Sequence, residues 1–332
     1  MLFRSAVVVF FVLSGFLVGG SVVTSLRKGH FSFTHYLVNR VSRLYVVLVP
    51  ALLIGCALDG IGLRFFDTQR LYHMGWPHVL STLLFSVDEN LSWPILLANL
   101  CNLQTIATPA LGSNGPLWSL ANEFWYYLVF PLLLAPAMAW LAWRRRLLLL
   151  AVAFAISALL YPKILLYGVI WVLGAALRAV PRALLPWRRL SLLLAVGTLL
   201  TASRLSHMYF NETVIFATDC LVALALANLL LSWMHAKDDA VAPAVARVHA
   251  GLANFSYSLY LLHFPLLLLL CAMAQTWWGI GLSMAPGWAA YLLFAALVAL
   301  LYLFAWAASL VTERHTQQVR QLLLRWCGVE RT

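Results

Sequence analysis

Charge is what this sequence has least of. Only 10% of its 332 residues are Asp, Glu, Lys or Arg, against about 25% in an ordinary soluble domain. Acidic residues are scarcer than basic ones, 11 against 22, for a formal net charge of +11. The basic residues lie between apolar segments rather than in one tail, the pattern of cytoplasmic loop charge, which argues against a nucleic-acid partner. Cysteine is sparse as well. Cys56, Cys101, Cys220, Cys271 and Cys327 are scattered, odd in number and without CxxC or metal spacing, so neither a disulfide framework nor a metal site is supported. The sequence has no GxSxG, no HExxH and no P-loop. Serine hydrolase, zinc protease and nucleotide-driven pump readings lose their footing.

What the chain has is apolar length. Hydrophobic residues make up 63% of it and mean hydropathy is +0.89, which defines an all-α, polytopic membrane helix bundle. About nine transmembrane helices are expected from runs of bilayer length. They fall at Ser5–Val23, Leu44–Gly60, Leu117–Trp140, Leu147–Tyr161, Ile164–Ala179, Leu190–Ser203, Glu212–Trp233, Ala253–Gln275 and Pro286–Val311. The first run follows Arg4 as a signal peptide would, but it is long for one and no clear cleavage site follows.

Loop charge sets the orientation. Arg27, Lys28, Arg40 and Arg43, then Arg144 to Arg146, then Arg178, Arg182, Arg188 and Arg189, and a tail with Arg314, Arg320 and Arg325 all belong in the cytoplasm. These agree only if His78–Leu100, broken by Asp88-Glu89-Asn90 and Pro94, does not cross. It is expected as a non-spanning or re-entrant pair of half-helices on the outer side, tolerated only against protein or a water-filled cavity. The N-terminus is then external, which suggests a helix missing upstream, and the C-terminus is cytoplasmic. Trp277, Trp278 and Trp288 suit an interfacial aromatic belt. The tail after Glu313 suits an amphipathic helix on the inner surface.

Four stretches carry side chains with chemistry. In Asn254–Pro265, NFSYSLYLLHFP, residues Ser256, Tyr260 and His263 share one helical face, and His263 lies about 15 Å into a span. An ionisable group at that depth marks either a functional site or a histidine bonded to a neighbouring helix. Arg40 and Arg43, one turn apart, suit bidentate contact with phosphates and equally suit an anchor on lipid headgroups. Ser119, Glu123, Tyr126 and Tyr127 fall on one stripe. Glu123, about 9 Å below the outer surface, either binds an acceptor hydroxyl, orients a base or locks two helices. Asp219 stands alone in its span and reads as a structural pair within the bundle. The remaining histidines, in or near loops, show no ligand spacing.

Taken in order, Phe10–Leu17, the Arg40/Arg43 segment, Leu117-Trp118-Ser119-Leu120 with Glu123, and Ser256–Pro265 resemble the acyltransferase-3 family of integral-membrane acyltransferases. The resemblance spans almost the whole chain. It implies a ten-helix enzyme that passes an acyl group, acetyl or another short chain, from cytoplasmic acyl-CoA to a hydroxyl of a carbohydrate or cell-surface glycan. No permanently bound cofactor is implied, since acyl-CoA serves as donor substrate, and the setting is the inner membrane of a bacterium. By that likeness Arg40 and Arg43 hold donor phosphates, while Glu123 and His263 are the candidate catalytic groups. Trp118, Ser119, Tyr127, Ser256 and Tyr260 are expected to line the substrate cavity.

Residues 1–312 then form the transmembrane acyltransferase domain and 313–332 a basic cytoplasmic tail. The family's first helix carries an Arg, ten residues and then a His thought to activate the acceptor. That helix is absent here, and Val8 stands where an aspartate is common. The nine expected spans are the family's ten minus the first. The runner-up class, a transporter of a lipid-linked or small solute, calls for paired broken helices in matching halves, and only His78–Leu100 looks broken. A truncated, inactive acyltransferase is the third reading. Translating the DNA upstream of Met1 separates the enzyme from the remnant: an in-frame helix with Arg, ten residues and His restores the enzyme, and nearby stop codons favour the remnant.

Overall fold

The computed structural model describes residues 2–68, 70–73, 86–208, 211–234, 243–279 and 284–329. Among them the chain forms α1 Leu2–Ser14, a π-helical turn Gly15–Gly19, α2 Gly20–Arg27, α3 Phe33–Phe65 and α4 Trp93–Leu100. There follow α5 Leu117–Leu133, α6 Trp143–Leu159, α7 Pro162–Ala176, α8 Arg188–Met208 and α9 Glu212–Met234. The last four are α10 Pro243–Ala253, α11 Ser256–Trp278, α12 Trp288–Val311 and α13 Thr316–Trp326. Each expected span contains an α-helix.

Among the described residues six stretches are long and apolar enough to cross a membrane: Ala6–Arg27, Phe33–Phe65, Pro162–Ala179, Glu212–Met234, Ser256–Trp278 and Trp288–Trp326. Of the other three expected spans, α5 and α6 have 17 residues each and α8 has 21. Seventeen residues rise about 26 Å, the short end of what spans hydrocarbon. The chain is an all-α membrane helix bundle.

Some boundaries differ from the expectation. The expected Leu117–Trp140 span stops at Leu133, where a 3-10 turn at Ala135–Ala137 with Pro136 cannot continue the α pattern. The expected Leu44–Gly60 span lies within a 33-residue helix that continues through Pro50. At roughly 50 Å, that helix outreaches a bilayer core of about 30 Å, so the Arg40/Arg43 turn and the span are one rigid rod. Of His78–Leu100, residues 78–85 lie outside the described set. The rest is a 3-10 turn at Asp88–Asn90 and the 8-residue α4, too short to cross.

The chain divides into two compact units, residues 1–33 with 122–240, and 34–121 with 241–332. In the first, α1 packs on α7 and α9, and α8 pairs with α9. Trp171, Phe11, Ile164 and Ile170 are fully buried there. The closest approach lies between the π turn and α7. A Cβ on Gly15 would overlap the Trp171 carbonyl, and one on Gly174 would overlap the Val12 carbonyl. Small residues that let backbones touch are the usual glue of helices in lipid, where hydrophobic burial alone does not drive helices together. Asp219 is buried and accepts a 2.6 Å hydrogen bond from the Tyr167 hydroxyl, joining α9 to α7. This is the structural pairing expected of it.

In the second unit α11 pairs with α12, and α12 presents Tyr291, Leu292, Phe294, Leu303 and Trp306 outward. An exposed face so apolar fits hydrocarbon and not water. The span ends at Thr312, and a 3-10 turn at Glu313–His315 leads into α13. There Val319, Leu322, Leu323 and Trp326 share one face and Arg320 and Arg325 flank it. Near the far end of α3, Tyr72 lies in an apolar cluster with Leu71, Val87, Leu268 and Ala272, and burial pushes its phenol above the ordinary range.

Gly15→Ala and Gly174→Ala are each expected to lower the melting temperature in detergent micelles. Forcing a methyl into a filled contact costs about 1–3 kcal/mol. Gly197→Ala in α8 is the control, because the position of its Cβ is open. It is expected to leave the melting temperature level or higher.

Candidate functional site

The motif-bearing helix α11 begins at Ser256 and carries Pro265 inside it. A proline has no N–H, so Pro265 cannot donate to the carbonyl four residues earlier, that of Leu261. That carbonyl is not wasted. The Asn114 side chain donates to it at 2.8 Å. One turn before Pro265, the Tyr260 hydroxyl meets the Ser119 hydroxyl in a close hydrogen bond. Both lie within reach of the Pro116 carbonyl, at 2.9 and 3.2 Å.

His263 Nδ1 sits 2.7 Å from the Tyr260 carbonyl and 3.2 Å from that of Leu259. Carbonyls only accept, so Nδ1 carries the hydrogen. In the neutral ring the lone pair is then on Nε2. The His263 and Tyr260 rings lie 6.0 Å apart between centroids. Ser119, Tyr260 and His263, expected as site residues, are thus brought together. Ser256 is not: it is exposed at the first turn, and its hydroxyl donates to the Ala253 carbonyl at 3.0 Å. Trp118 is half-buried on the first turn of α5.

Arg40 and Arg43 lie one turn apart on α3, with the Arg40 guanidinium 5.9 Å from the centroid of the Tyr36 ring. Arg43 is exposed and lies within electrostatic reach of the Glu313 carboxylate. That carboxylate accepts the Ser258 backbone N–H at 2.5 Å. It thus caps the first turn of α11, where N–H groups lack helical acceptors and negative charge is favoured. The arginine pair therefore stands next to the start of the motif helix.

Glu123 lies in the first unit and is buried. Its Oε1 accepts close hydrogen bonds from the Ser14 and Tyr127 hydroxyls. Trp171 Nε1 in turn donates to Ser14 Oγ at 3.1 Å. Ser14 is the last residue before the π turn, and such turns recur at functional sites. The Tyr126 hydroxyl bonds away from this cluster, to the Ile164 carbonyl at 2.6 Å, and its ring packs on Phe11 and Trp171.

The reading of the sequence passed over one carboxylate. Asp59 is 1% exposed on α3 and holds the loop between α4 and α5 by two bonds. Its Oδ2 accepts the Ser113 N–H at 2.8 Å and its Oδ1 the Ser113 hydroxyl at 2.7 Å. Gly112 beside it has φ +56°, and a Cβ there would meet the Asp59 carboxylate, so glycine is required twice over. The rest of the loop is tied down in the same way. Asn99 binds the Pro109 carbonyl and the Leu111 N–H, both at 3.1 Å, Gln104 binds the Leu117 carbonyl, and Asn102 binds the Tyr45 hydroxyl. A lone Asp within a span was the signal that could have found it.

Among the described residues no group of His, Cys, Asp and Glu could hold a metal ion. An all-helical bundle whose long helices are apolar enough to cross a membrane defines the class, an integral-membrane protein. A family model described as an acyltransferase domain matches residues 1–310, and the chain belongs to that acyltransferase-3 family. Over 127 residues the chain is 28% identical to an uncharacterized protein of Haemophilus influenzae, covering 38% of this chain and 47% of that one. The chain thus spans about half the length of that curated relative. No solved structure matches the chain.

Ser14→Ala and Tyr127→Phe each remove a hydroxyl donor from Glu123 and are expected to cost about 1.5–3 kcal/mol, the range for hydrogen bonds to charged groups. Because both bind one oxygen, the double variant is expected to deviate from additivity by about 0.5 kcal/mol or more. Denaturant or thermal melts of the four proteins in one detergent measure the coupling.

Proposed function

We propose that this protein is a membrane-bound O-acyltransferase, moving acetyl or another short acyl group from acyl-CoA to a hydroxyl of a carbohydrate or cell-surface glycan. The membership of residues 1–310 in the acyltransferase family carries this reading. The chemistry asks for a base that takes the acceptor's proton as its oxygen attacks the thioester carbonyl, with the CoA sulfur leaving. His263 fits that role, because its Nδ1–H is spent on the Tyr260 carbonyl and the lone pair lies on Nε2.

Arg40 and Arg43 are proposed to grip the donor phosphates. They are spaced for it, and Arg43 is exposed. Glu123 is proposed to bind an acceptor hydroxyl, in the manner in which it binds Ser14 and Tyr127. Trp118, Ser119, Tyr127 and Tyr260 are proposed as cavity-lining residues. Ser256 is the weakest member of that set, since its hydroxyl is turned to the helix start. A cytoplasmic C-terminus and a bacterial inner membrane are part of this proposal, and the basic tail fits the first.

Purified protein mixed with labelled acyl-CoA and soluble glycan acceptors is expected to transfer label or hydrolyse the thioester. Arg40→Ala with Arg43→Ala is expected to weaken donor binding at least tenfold. His263→Ala is expected to lower kcat by about 10²–10⁴ while donor affinity holds. Unchanged donor affinity in the arginine double variant removes that pair from the site, and a His263→Ala enzyme with wild-type kcat removes the base.

A further inference from the structure

We infer that Asn114 and Asp59 are positioning residues: they hold the Ser113–Pro116 segment against α11 so that the Tyr260–His263 turn keeps the orientation that directs the histidine's second nitrogen. The inference rests on the reading of His263 as the base and adds the device that aims it.

The connection can be followed bond by bond. Asp59, fixed near the C-terminal end of the long helix α3, grips Ser113 through its backbone and its hydroxyl, at 2.8 and 2.7 Å. The next residue, Asn114, donates to the Leu261 carbonyl at 2.8 Å. Two residues on, the Pro116 carbonyl accepts from Tyr260 at 2.9 Å. The following turn supplies Ser119, which meets the same Tyr260 hydroxyl. The segment therefore touches α11 at two consecutive residues, through a main-chain group of Leu261 and the side chain of Tyr260. Tyr260 is also the residue whose carbonyl holds His263 Nδ1 at 2.7 Å. Ser113, Asn114, Ser119 and Asp59 are at most 3% exposed, so water does not compete for these bonds.

The chain has used a proline where an ordinary residue would have closed the helix on itself. With an N–H at position 265, the Leu261 carbonyl would be satisfied inside α11 and would offer nothing to the loop. Pro265 opens the acceptor and Asn114 takes it. The Pro265 ring also reaches toward Gly55, where a Cβ would lie 3.7 Å from the ring.

That arrangement supplies its own test. Asn114→Ala leaves the Leu261 carbonyl without this donor. Adding Pro265→Ala returns a main-chain N–H that can satisfy the same carbonyl within the helix. Asn114→Ala is expected to lower both the melting temperature and kcat. The double variant Asn114→Ala with Pro265→Ala is expected to regain most of the melting temperature while kcat stays at least tenfold below wild type and donor affinity is unchanged. If kcat returns together with the melting temperature, Asn114 only satisfies a carbonyl and the inference is overturned.

A second readout does not depend on catalysis. The rate at which diethyl pyrocarbonate modifies His263, followed by peptide mass spectrometry, reports access to its Nε2. It is expected to change at least threefold in the double variant and in Ser113→Ala, which loses one bond to Asp59 and is the milder substitution should Asn114→Ala fail to fold. An unchanged rate in both overturns the positioning role. If the wild-type protein transfers no acyl group but the modification rate still responds to the loop, the acyltransferase reading fails and the positioning stands.

Discussion

Pro265 leaves a main-chain carbonyl of α11 without its helical donor, at a depth where no bulk water can replace it. A polar backbone group in hydrocarbon costs several kcal/mol unless it finds a partner in the chain. Asn114 is that partner. Once Asn114 is committed to α11, the loop that carries it must come inside, and its polar groups then need partners in the chain. Asn99, Asn102, Gln104 and Ser113 are at most 1% exposed and each is hydrogen-bonded. Asp59 meets the loop from α3. A buried loop of this kind is uncommon, and its bonding is incomplete: among the described residues Gln104 Oε1, Thr108 Oγ1 and Asn114 Oδ1 are buried without a hydrogen-bond partner. The solution here runs between α3, the loop and α11, and it explains the concentration of Asn, Gln and Ser in a chain otherwise poor in polar residues.

The first unit meets the same constraint with different means. Its helices approach through Gly15 and Gly174, where backbone touches backbone, and its polar side chains meet in small groups, one around Glu123 and another at Asp219. The π turn at Gly15–Gly19 follows directly on Ser14, so the residue that donates to Glu123 and the first glycine that seats on α7 are consecutive. Close packing and polar satisfaction are coupled there: a side chain that pushed the π turn off α7 would also move the Ser14 hydroxyl. Arg178 adds a lid of its own kind, with its guanidinium 4.6 Å from the centroid of the Phe16 ring and its stem against Gly20.

Much of this fold could be read from the sequence, because hydrocarbon imposes a simple rule. A run of apolar residues of bilayer length must be a helix, and each of the nine runs contains one. Pairings within one helix were also legible from spacing, as with Tyr260 and His263 or Glu123 and Tyr127. Helix ends were not, since Pro50 and Pro265 are carried inside helices whereas Pro136 falls in a terminating turn, and nothing local distinguishes them. Partners distant in the chain were invisible. Asp59 and Ser113 are 54 residues apart, Ser14 and Glu123 109, and Asn114 and Leu261 147. Spacing carries no trace of such pairs. The only hint was energetic: an acid or amide inside a span demands a partner, and Asp59 was as clear a demand as Asp219.

Four acids in or beside the spans separate by what they bind. Glu313 accepts a backbone N–H at the start of α11, and Asp59 accepts a backbone N–H and a hydroxyl from one loop residue. Taking either away releases main chain, so their work is to hold structure in place. Asp219 is tied to Tyr167, whose ring also packs on Phe11 and Phe216, so exchanging that partner would open an aromatic core. Glu123 differs from all three. The donors shown on its Oε1 are the side-chain hydroxyls of Ser14 and Tyr127, two O–H groups on one oxygen. A hydroxyl side chain can turn about its own torsions and yield its place to another hydroxyl without any backbone moving. An acceptor alcohol is chemically the same kind of donor. Of the four, Glu123 is therefore the carboxylate whose hydroxyl partners can turn aside without moving backbone, which is why the proposed acceptor-binding role is placed on it and not on Asp59 or Asp219.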